Sequence, residues 1–288
     1  MNFSKDFFHF LKLGKKVRCI DVGALSLGTE TVDPWVELAR SGCAELIGFE
    51  PVPEECERLN SMTSSLDNGI RYLPHAIGDG GEHTLHITNF PMTSSLFEPD
   101  VATVSLFANL GELMIVERKL PVTTRRLDDL DLGGPADFLK LDIQGAELMA
   151  LQHATRTLAH VSVIQCEVEF VAIYKNQPLF ADVDQFLRSQ GFQFLRFAYT
   201  MGRPFKPLVL GNNPNKEISQ TLWADAIYVK DFRSVRETGD RILRAGAFVL
   251  HEIYKAYDLA LLFLNEIDRR NATTLAKDYL SKLIKKPA

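Results

Sequence analysis

Five acidic residues in this chain stand at or near the ends of short apolar runs, where carboxylates serve a site rather than a solvated surface. Asp21 lies in Val17-Arg-Cys-Ile-Asp-Val-Gly-Ala24, and Glu50 in Leu46-Ile-Gly-Phe-Glu-Pro51. Asp142 closes Phe138-Leu-Lys-Leu-Asp142, and Glu167 and Glu169 belong to the run from Val161 to Glu169. Carboxylates so placed can hold ligand hydroxyl or ammonium groups, or take the proton of an alcohol, which is a poor nucleophile at neutral pH. Alternation along a strand puts Gln165, Glu167 and Glu169 on one face, and Lys140 with Asp142 on one face of the neighbouring run. Glu167 is the first candidate for base or hydroxyl acceptor, with Asp142 and Glu169 next. Lys140 reads as an ion-pair partner for these acids. A divalent ion held by Asp142 and Glu167 competes with that reading, but two carboxylates without a clear third ligand argue against it. Simpler roles stand beside these: a solvated strand end for Glu169 and a helix cap for Asp142.

The elements that must position these residues alternate. The pattern predicts a short amphipathic helix over residues 3–14 and a strand at 17–23. A helix follows at 33–42, with Asp33 as cap, Pro34 at its first position and Gly42 as its stop. A second strand at 46–50, a helix starting at Pro53 and a third strand at about 70–77 come next. A hairpin turning at Gly80-Gly81 follows, with His83 to Thr88 as its alternating strand. Residues 89–113, containing Met92-Thr-Ser-Ser-Leu96, read as a loop near the site, with a lid as one use. A fourth strand, 138–142, runs through Gln144-Gly145 into a helix at about 146–158. Strands at 161–169, 192–199 and 222–229 and a helix at 179–190 complete the set. This is an α/β chain: a Rossmann-like, mostly parallel seven-stranded sheet flanked by helices, with one reversed edge strand. Ligands of such sheets bind at the carboxyl ends of the strands, where Asp21 and Glu50 lie.

Residues 1–231 form the expected ligand-binding domain and residues 232–288 a helical C-terminal extension. In the extension Leu250, Ile253, Tyr254, Tyr257, Leu261, Leu264 and Ile267 recur at helical spacing, and 271–286 reads as a second, basic-ended helix. These helices either pack back on the sheet or serve as a face for a homodimer or a partner. Of the net charge of −5, residues 232–288 carry +4 and residues 1–231 carry −9. An acidic ligand-binding domain argues against nucleic acid as a partner. At 46% hydrophobic and 24% charged residues, the chain is neither disordered nor fibrous. The four cysteines form no CxxC pair and read as reduced core residues. No run approaches a membrane span and the N-terminus lacks a signal-like apolar stretch, so a cytoplasmic protein that is not integral to a membrane is expected.

Three ligands suit this architecture. A dinucleotide needs Gly-x-Gly-x-x-Gly, but the first turn is Gly23-Ala-Leu-Ser-Leu-Gly28, and a P-loop's Gly-Lys-Ser/Thr is absent. S-adenosylmethionine has no phosphate to cradle. It needs a small turn against its methionine part (Gly23, Ala24), an acid near its ammonium (Asp21) and a carboxylate for its ribose hydroxyls (Glu50). Two other classes stay open: a nicotinamide-dependent oxidoreductase, and a catalytically silent protein binding a partner through residues 232–288.

Several blocks resemble those of FkbM-type S-adenosylmethionine-dependent methyltransferases. They are Cys19-Ile-Asp-Val-Gly-Ala24, Gly48-Phe-Glu-Pro51, Ala76-Ile-Gly-Asp79, Phe138-Leu-Lys-Leu-Asp-Ile-Gln-Gly-Ala-Glu147, Trp223-Ala-Asp-Ala-Ile-Tyr-Val229, and Glu167 to Phe180. The resemblance spans about residues 17–230, in order. It implies a class I methyltransferase fold, S-adenosylmethionine as cofactor, and Pro51, Ala76, Ile77 and Asp142 beside Asp21, Gly23, Ala24 and Glu50 around it. It also implies O-methylation of a sugar, a glycan (a polysaccharide included) or another small hydroxylated metabolite. Where many members follow Gly-Ala with Asn-x-Gly, this chain has Leu25-Ser26-Leu27-Gly28.

Overall fold

The computed structural model describes residues 3–24, 32–63 and 69–284. The Leu25–Gly28 turn, the sequence's least typical feature, lies outside them.

Nine strands and ten α-helices are described: β1 Val17–Val22, β2 Ala44–Phe49, β3 Ile70–Leu73, β4 Glu82–Thr88, β5 Val116–Thr123, β6 Phe138–Leu141, β7 Val163–Glu169, β8 Phe192–Gly202 and β9 Thr221–Lys230. The helices are α1 Phe3–Phe10, α2 Pro34–Arg40, α3 Pro53–Thr63, α4 Val101–Val104, α5 Glu147–Gln152, α6 Thr155–Leu158, α7 Phe180–Ser189, α8 Asp240–Glu252, α9 Tyr257–Asn271 and α10 Leu275–Ile284. Seven strands form one sheet in the order β3-β2-β1-β6-β7-β9-β8. Every pair from β3 through β7 is parallel, while β9 runs antiparallel to both β7 and β8.

The reversed strand is therefore not the edge strand that was expected. β9 inserts between β7 and β8, because the chain returns from β8 through the 203–220 loop and pairs on its inner side. This leaves β8, rich in half-buried and exposed residues, as the edge. The small hairpin also differs from expectation. β4 pairs with β5, not across Gly80-Gly81, and the 27 residues between them fold into short helical turns and α4 rather than an open loop. The third strand stops at Leu73, where Pro74 can donate no ladder hydrogen bond.

Strands β6 and β7 are buried at every position, as a sheet covered on both faces requires. One face packs on α1, α2 and α8–α10 through Cys19, Trp35, Phe138, Val163, Phe248 and Phe263. The other packs on α5, α6 and α7 through Ile20, Leu141, Ile164, Leu151, Leu158 and Leu187. A third cluster, Val104, Phe107, Met114, Tyr174 and Leu222 among its members, seats the 89–115 excursion on the sheet's end. The four cysteines are buried and free. No described helix is long and apolar enough to cross a membrane.

The C-terminal periodicity spans two helices rather than one, broken between Glu252 and Tyr257, where Lys255 adopts φ +55°. Both helices share the core of the sheet, and Tyr254 at the break donates from its hydroxyl to Gln165 Oε1 at 2.8 Å. The join is polar as well. Arg241 Nε donates to Asp137 Oδ1 at 3.0 Å, and its other nitrogens donate to the carbonyls of Leu13, Lys15 and Lys16. Asp137 also accepts from the Arg18 amide at 2.9 Å and is buried, so it depends on these donors. Arg241→Met should lower stability by about 2–4 kcal/mol, because it strands a buried carboxylate; urea unfolding followed by circular dichroism measures it.

Candidate active site

The turn after β1 is built around Gly23. Its φ is +82°, and a Cβ there would come within 1.8 Å of the Asp142 carbonyl oxygen, so no other residue fits without moving β6's end. The Gly23 and Ala24 amides both reach the Phe49 carbonyl at 3.1 Å, which ties the turn to the end of β2. One residue on, Glu50 is buried and its Oε1 accepts from the Val52 amide at 2.8 Å. Burial pushes its carboxyl up to about 7, against the Val52 hydrogen bond.

These ends open into a cavity of about 760 Å³, within the range of small-molecule sites. Its floor includes Val22, Gly23, Glu50, Pro51, Ala76, Ile77 and Asp142, and the β4–β5 unit and the excursion wall it with Leu85, Ile87, Met92, Ser95 and Arg118. Among the expected cofactor residues Gly23, Glu50, Pro51, Ala76, Ile77 and Asp142 are thus brought together. Ala24 is buried at the turn without lining the cavity. Asp21 does not line it either: its Oδ2 accepts from Trp35 Nε1 at 2.9 Å and its Oδ1 lies 3.6 Å from Lys140 Nζ. His75 lines the cavity with its ring stacked near Phe49.

Lys140 is a buried ammonium set among acceptors, 3.3 Å from Asp142 Oδ2 and 3.4 Å from the Gly23 carbonyl. Burial works against its charge, but Asp142, Asp21 and Asp225 outweigh that and hold it protonated. Burial likewise opposes ionisation of Asp142, yet Lys140, then Gln144 and Glu167, keep its carboxyl below the ordinary range.

Gln144 links Asp142 to β7, and the sequence reading passed over it. Its Nε2 donates to Asp142 Oδ1 at 3.0 Å and to Glu167 Oε2 at 2.6 Å. The Tyr174 hydroxyl lies 3.0 Å from its Oε1, which fixes the amide so that the donor faces the two acids. Ser95 Oγ donates to its backbone carbonyl at 2.6 Å, tying the excursion to the site. Gln144 sits at φ +57°, in a turn whose two free amides, Ile143 and Gly145, donate to Glu147 at 2.7 and 2.9 Å. A Gln-Gly pair two residues past Asp142, where the strand runs into the next helix, was the available signal.

Glu167 and Glu169 are buried and do not line the cavity. Burial, then neighbouring carboxylates, pushes both well above the ordinary range: Asp142 and Glu169 act on Glu167, Glu147 and Asp142 on Glu169. Glu167 therefore holds its proton more tightly than an ordinary glutamate, with Gln144 bridging it to Asp142. Asp225, paired in register with Glu167, is pushed up to about 6 by burial and Asp142, and it accepts from Gln165. Among the described residues no group of three or more His, Cys, Asp or Glu is arranged to hold a metal ion.

A parallel sheet ordered in this way, with the reversed strand second from the edge and a glycine turn and an acid at the ends of its first two strands, is the class I methyltransferase architecture. Within that class, the model described as "Methyltransferase FkbM domain" matches residues 21–194, and the chain belongs to that family. No curated protein matches the chain. Solved structures similar to it include magnesium protoporphyrin IX methyltransferase (ChlM) from Synechocystis PCC 6803 with bound SAM, at 11% identity over 80% of this chain and 78% of that one, TM-score 0.39. Another is the fragment described as StiE O-MT residues 961-1257, at 11% identity over 92% and 78%, TM-score 0.37. M. jannaschii TYW2 in complex with AdoMet matches at 11% identity over 79% and 73%, TM-score 0.33. Scores this low leave the fold assignment to the strand order and the family match.

The raised acids set a pH dependence. Glu50 and Glu147 keep their protons up to about 7 when folded and lose them near 4.5 when unfolded. The folded state thus binds more protons between these values, so their contribution is full below about 4.5 and is lost as pH rises through about 7. Each shift corresponds to about 3 kcal/mol. Glu50→Gln should raise the melting temperature at pH 8 and leave it nearly unchanged at pH 4.5; scanning calorimetry at both pH values checks this.

Proposed function

We propose that this chain is an S-adenosylmethionine-dependent O-methyltransferase acting on a hydroxyl of a sugar, glycan or other small hydroxylated metabolite. The observation that carries the reading is one cavity joining the Gly23 turn and Glu50 to Asp142, a carboxylate paired with Lys140 and bridged by Gln144 to the buried Glu167. S-adenosylmethionine bound in it supplies the electrophilic methyl group. The fit rests on chemistry: Glu50 offers a buried carboxyl for vicinal ribose hydroxyls, Gly23 leaves the turn bare of side chain, and Pro51, Ala76 and Ile77 are flat, apolar neighbours for an adenine.

Asp142 is the group we assign to the acceptor hydroxyl, in preference to Glu167. It lines the cavity, Lys140 keeps it ionised, and its position at the end of β6 faces the Gly23 turn. Asp142 orients the hydroxyl by accepting its hydrogen bond and takes its proton as the oxygen is methylated. Gln144 and protonated Glu167 act behind it as positioning residues. The raised affinity of Glu167 for its proton eases the repulsion between two adjacent carboxyls in a buried place. Glu169 belongs to the same buried set through its charge, at one remove from the cavity.

Glu50→Ala should weaken binding of S-adenosylhomocysteine by roughly 10- to 100-fold, the worth of one or two hydrogen bonds to a charged group; isothermal titration measures it. Asp142→Asn should cost at least about 100-fold in methyl transfer from labelled S-adenosylmethionine to a hydroxylated acceptor, with the homocysteine product still bound. Glu167→Gln, which keeps the protonated carboxyl's shape, should retain more activity than Asp142→Asn. The reverse order would return the base to Glu167, and no cofactor heat in the unmodified protein would overturn the enzyme reading.

A further inference from the structure

Arg203, the first residue beyond β8, is 8% exposed, yet among the described residues no carboxylate pairs with it. Its Nη1 donates to the carbonyl of the adjacent Gly202 at 3.0 Å, and its Nε is buried without a hydrogen-bond partner. The guanidinium carbon stands 5.1 Å from the centre of the Trp223 ring. The nearest acid that follows it in the chain, Glu217, is engaged elsewhere, accepting from the Thr221 hydroxyl at 2.6 Å. Burial is the one influence on its protonation, and it pulls the guanidinium below its ordinary value.

A buried guanidinium with donors to spare is costly unless something else completes it. Its fork matches the two oxygens of a carboxylate or phosphate, and stacking on an indole holds the plane ready for them. Its position relates it to the site above. Trp223 lies in register with Glu169 at the end of β7, and β6, which ends at Asp142, is the next strand. Two strand spacings and about two residues along the strand put Trp223 roughly 12 Å from Asp142 at the same end of the sheet, and β8, which leads into Arg203, is one strand further out. Tyr199, four residues before Arg203, lies near Asp225, Glu167 and Asp142, whose charges add to burial in raising its phenol. The segment carrying Arg203 is thus continuous with the acid row.

We propose that Arg203 is the anion-recognising residue of the acceptor site, taking a carboxylate or phosphate carried by the same molecule whose hydroxyl meets Asp142. The assignment rests on the methyltransferase reading. It narrows the acceptors to anionic hydroxylated molecules, such as uronic acids or sugar phosphates.

Isothermal titration of the full chain, with S-adenosylhomocysteine present, would use D-glucuronate, D-glucose 6-phosphate, inorganic phosphate and uncharged D-glucose as probes. At least one organic anion should bind more tightly than glucose, and the preferred one tells carboxylate from phosphate. Arg203→Gln and Arg203→Met should lose roughly 10- to 100-fold of that affinity while S-adenosylhomocysteine binds as before. Without any anion, Arg203→Met should melt at or above the temperature of the unmodified protein, since it removes an unpaired buried charge. A clearly lower melting temperature, with anion binding absent or unaffected by the substitution, would make Arg203 a structural partner of Trp223 and overturn the proposal. Preference for none of the anions over glucose would overturn it too. Failure of S-adenosylhomocysteine to bind would instead overturn the methyltransferase reading, so the two failures are separable.

Discussion

Buried negative charge is the constraint on which this site depends. Asp21, Asp142, Glu147, Glu167, Glu169 and Asp225 converge at one end of the sheet, and Lys140 is the ammonium set among them. So many carboxylates cannot all ionise in a low-dielectric place, so the group divides by position. Asp142 and Asp21, within reach of Lys140, have a cation to face. Glu167, Glu169 and Glu147, which form no ion pair with it among the described residues, are pushed up by burial and by one another, and Asp225 follows part of the way. The division puts a carboxylate held low at the cavity's edge and acids held high behind it. On the proposed reading that asymmetry suits a neutral hydroxyl, since two anions side by side would repel the alkoxide character that develops on it.

Much of this was legible in the sequence because strand alternation is rigid. Once 138–142 and 161–169 read as adjacent strands, the facing of Lys140, Asp142, Gln165, Glu167 and Glu169 followed, and the register bears it out: Lys140 lies opposite Gln165. The glycine turn and Glu50 were legible for the same reason, at strand ends. What depended on the third dimension was not. Gln144 acts through Tyr174 and Ser95, which come from segments 30 and 49 residues away. No local pattern marks such a convergence. The insertion of β9 inside β8 was also hidden, because either order gives the same alternation in sequence.

The C-terminal helices illustrate the same limit and add a link. Their heptad-like spacing predicted one amphipathic helix, but spacing alone does not register a break at Lys255, where the chain turns through a left-handed conformation. The break has a structural consequence. It brings Tyr254 over the sheet, where its hydroxyl donates to Gln165 and Gln165 in turn donates to Asp225. The residues outside the family match thereby hold one member of the acid row in place.

That link bears on how the two halves of the reaction are kept apart. On the proposed reading the cofactor side is set by β1 and β2, through a turn too tight for any side chain at Gly23 and a buried Glu50. The proposed acceptor side is set by β7 and β9, whose polar residues lean on Tyr254 from α8's end and on Trp223 under Arg203. Asp142, between them on β6, belongs to both: its carbonyl closes the Gly23 turn and its carboxylate meets the acid row. A change in the C-terminal helices would therefore act on the β7–β9 side through Gln165 and Asp225, as well as on β1 through the core they share with Cys19 and Trp35. Because the backbone at Asp142 is locked against Gly23 while its side chain is held by Lys140, Gln144 and Glu167, the proposed acceptor chemistry can be retuned in this fold with the cofactor turn left untouched.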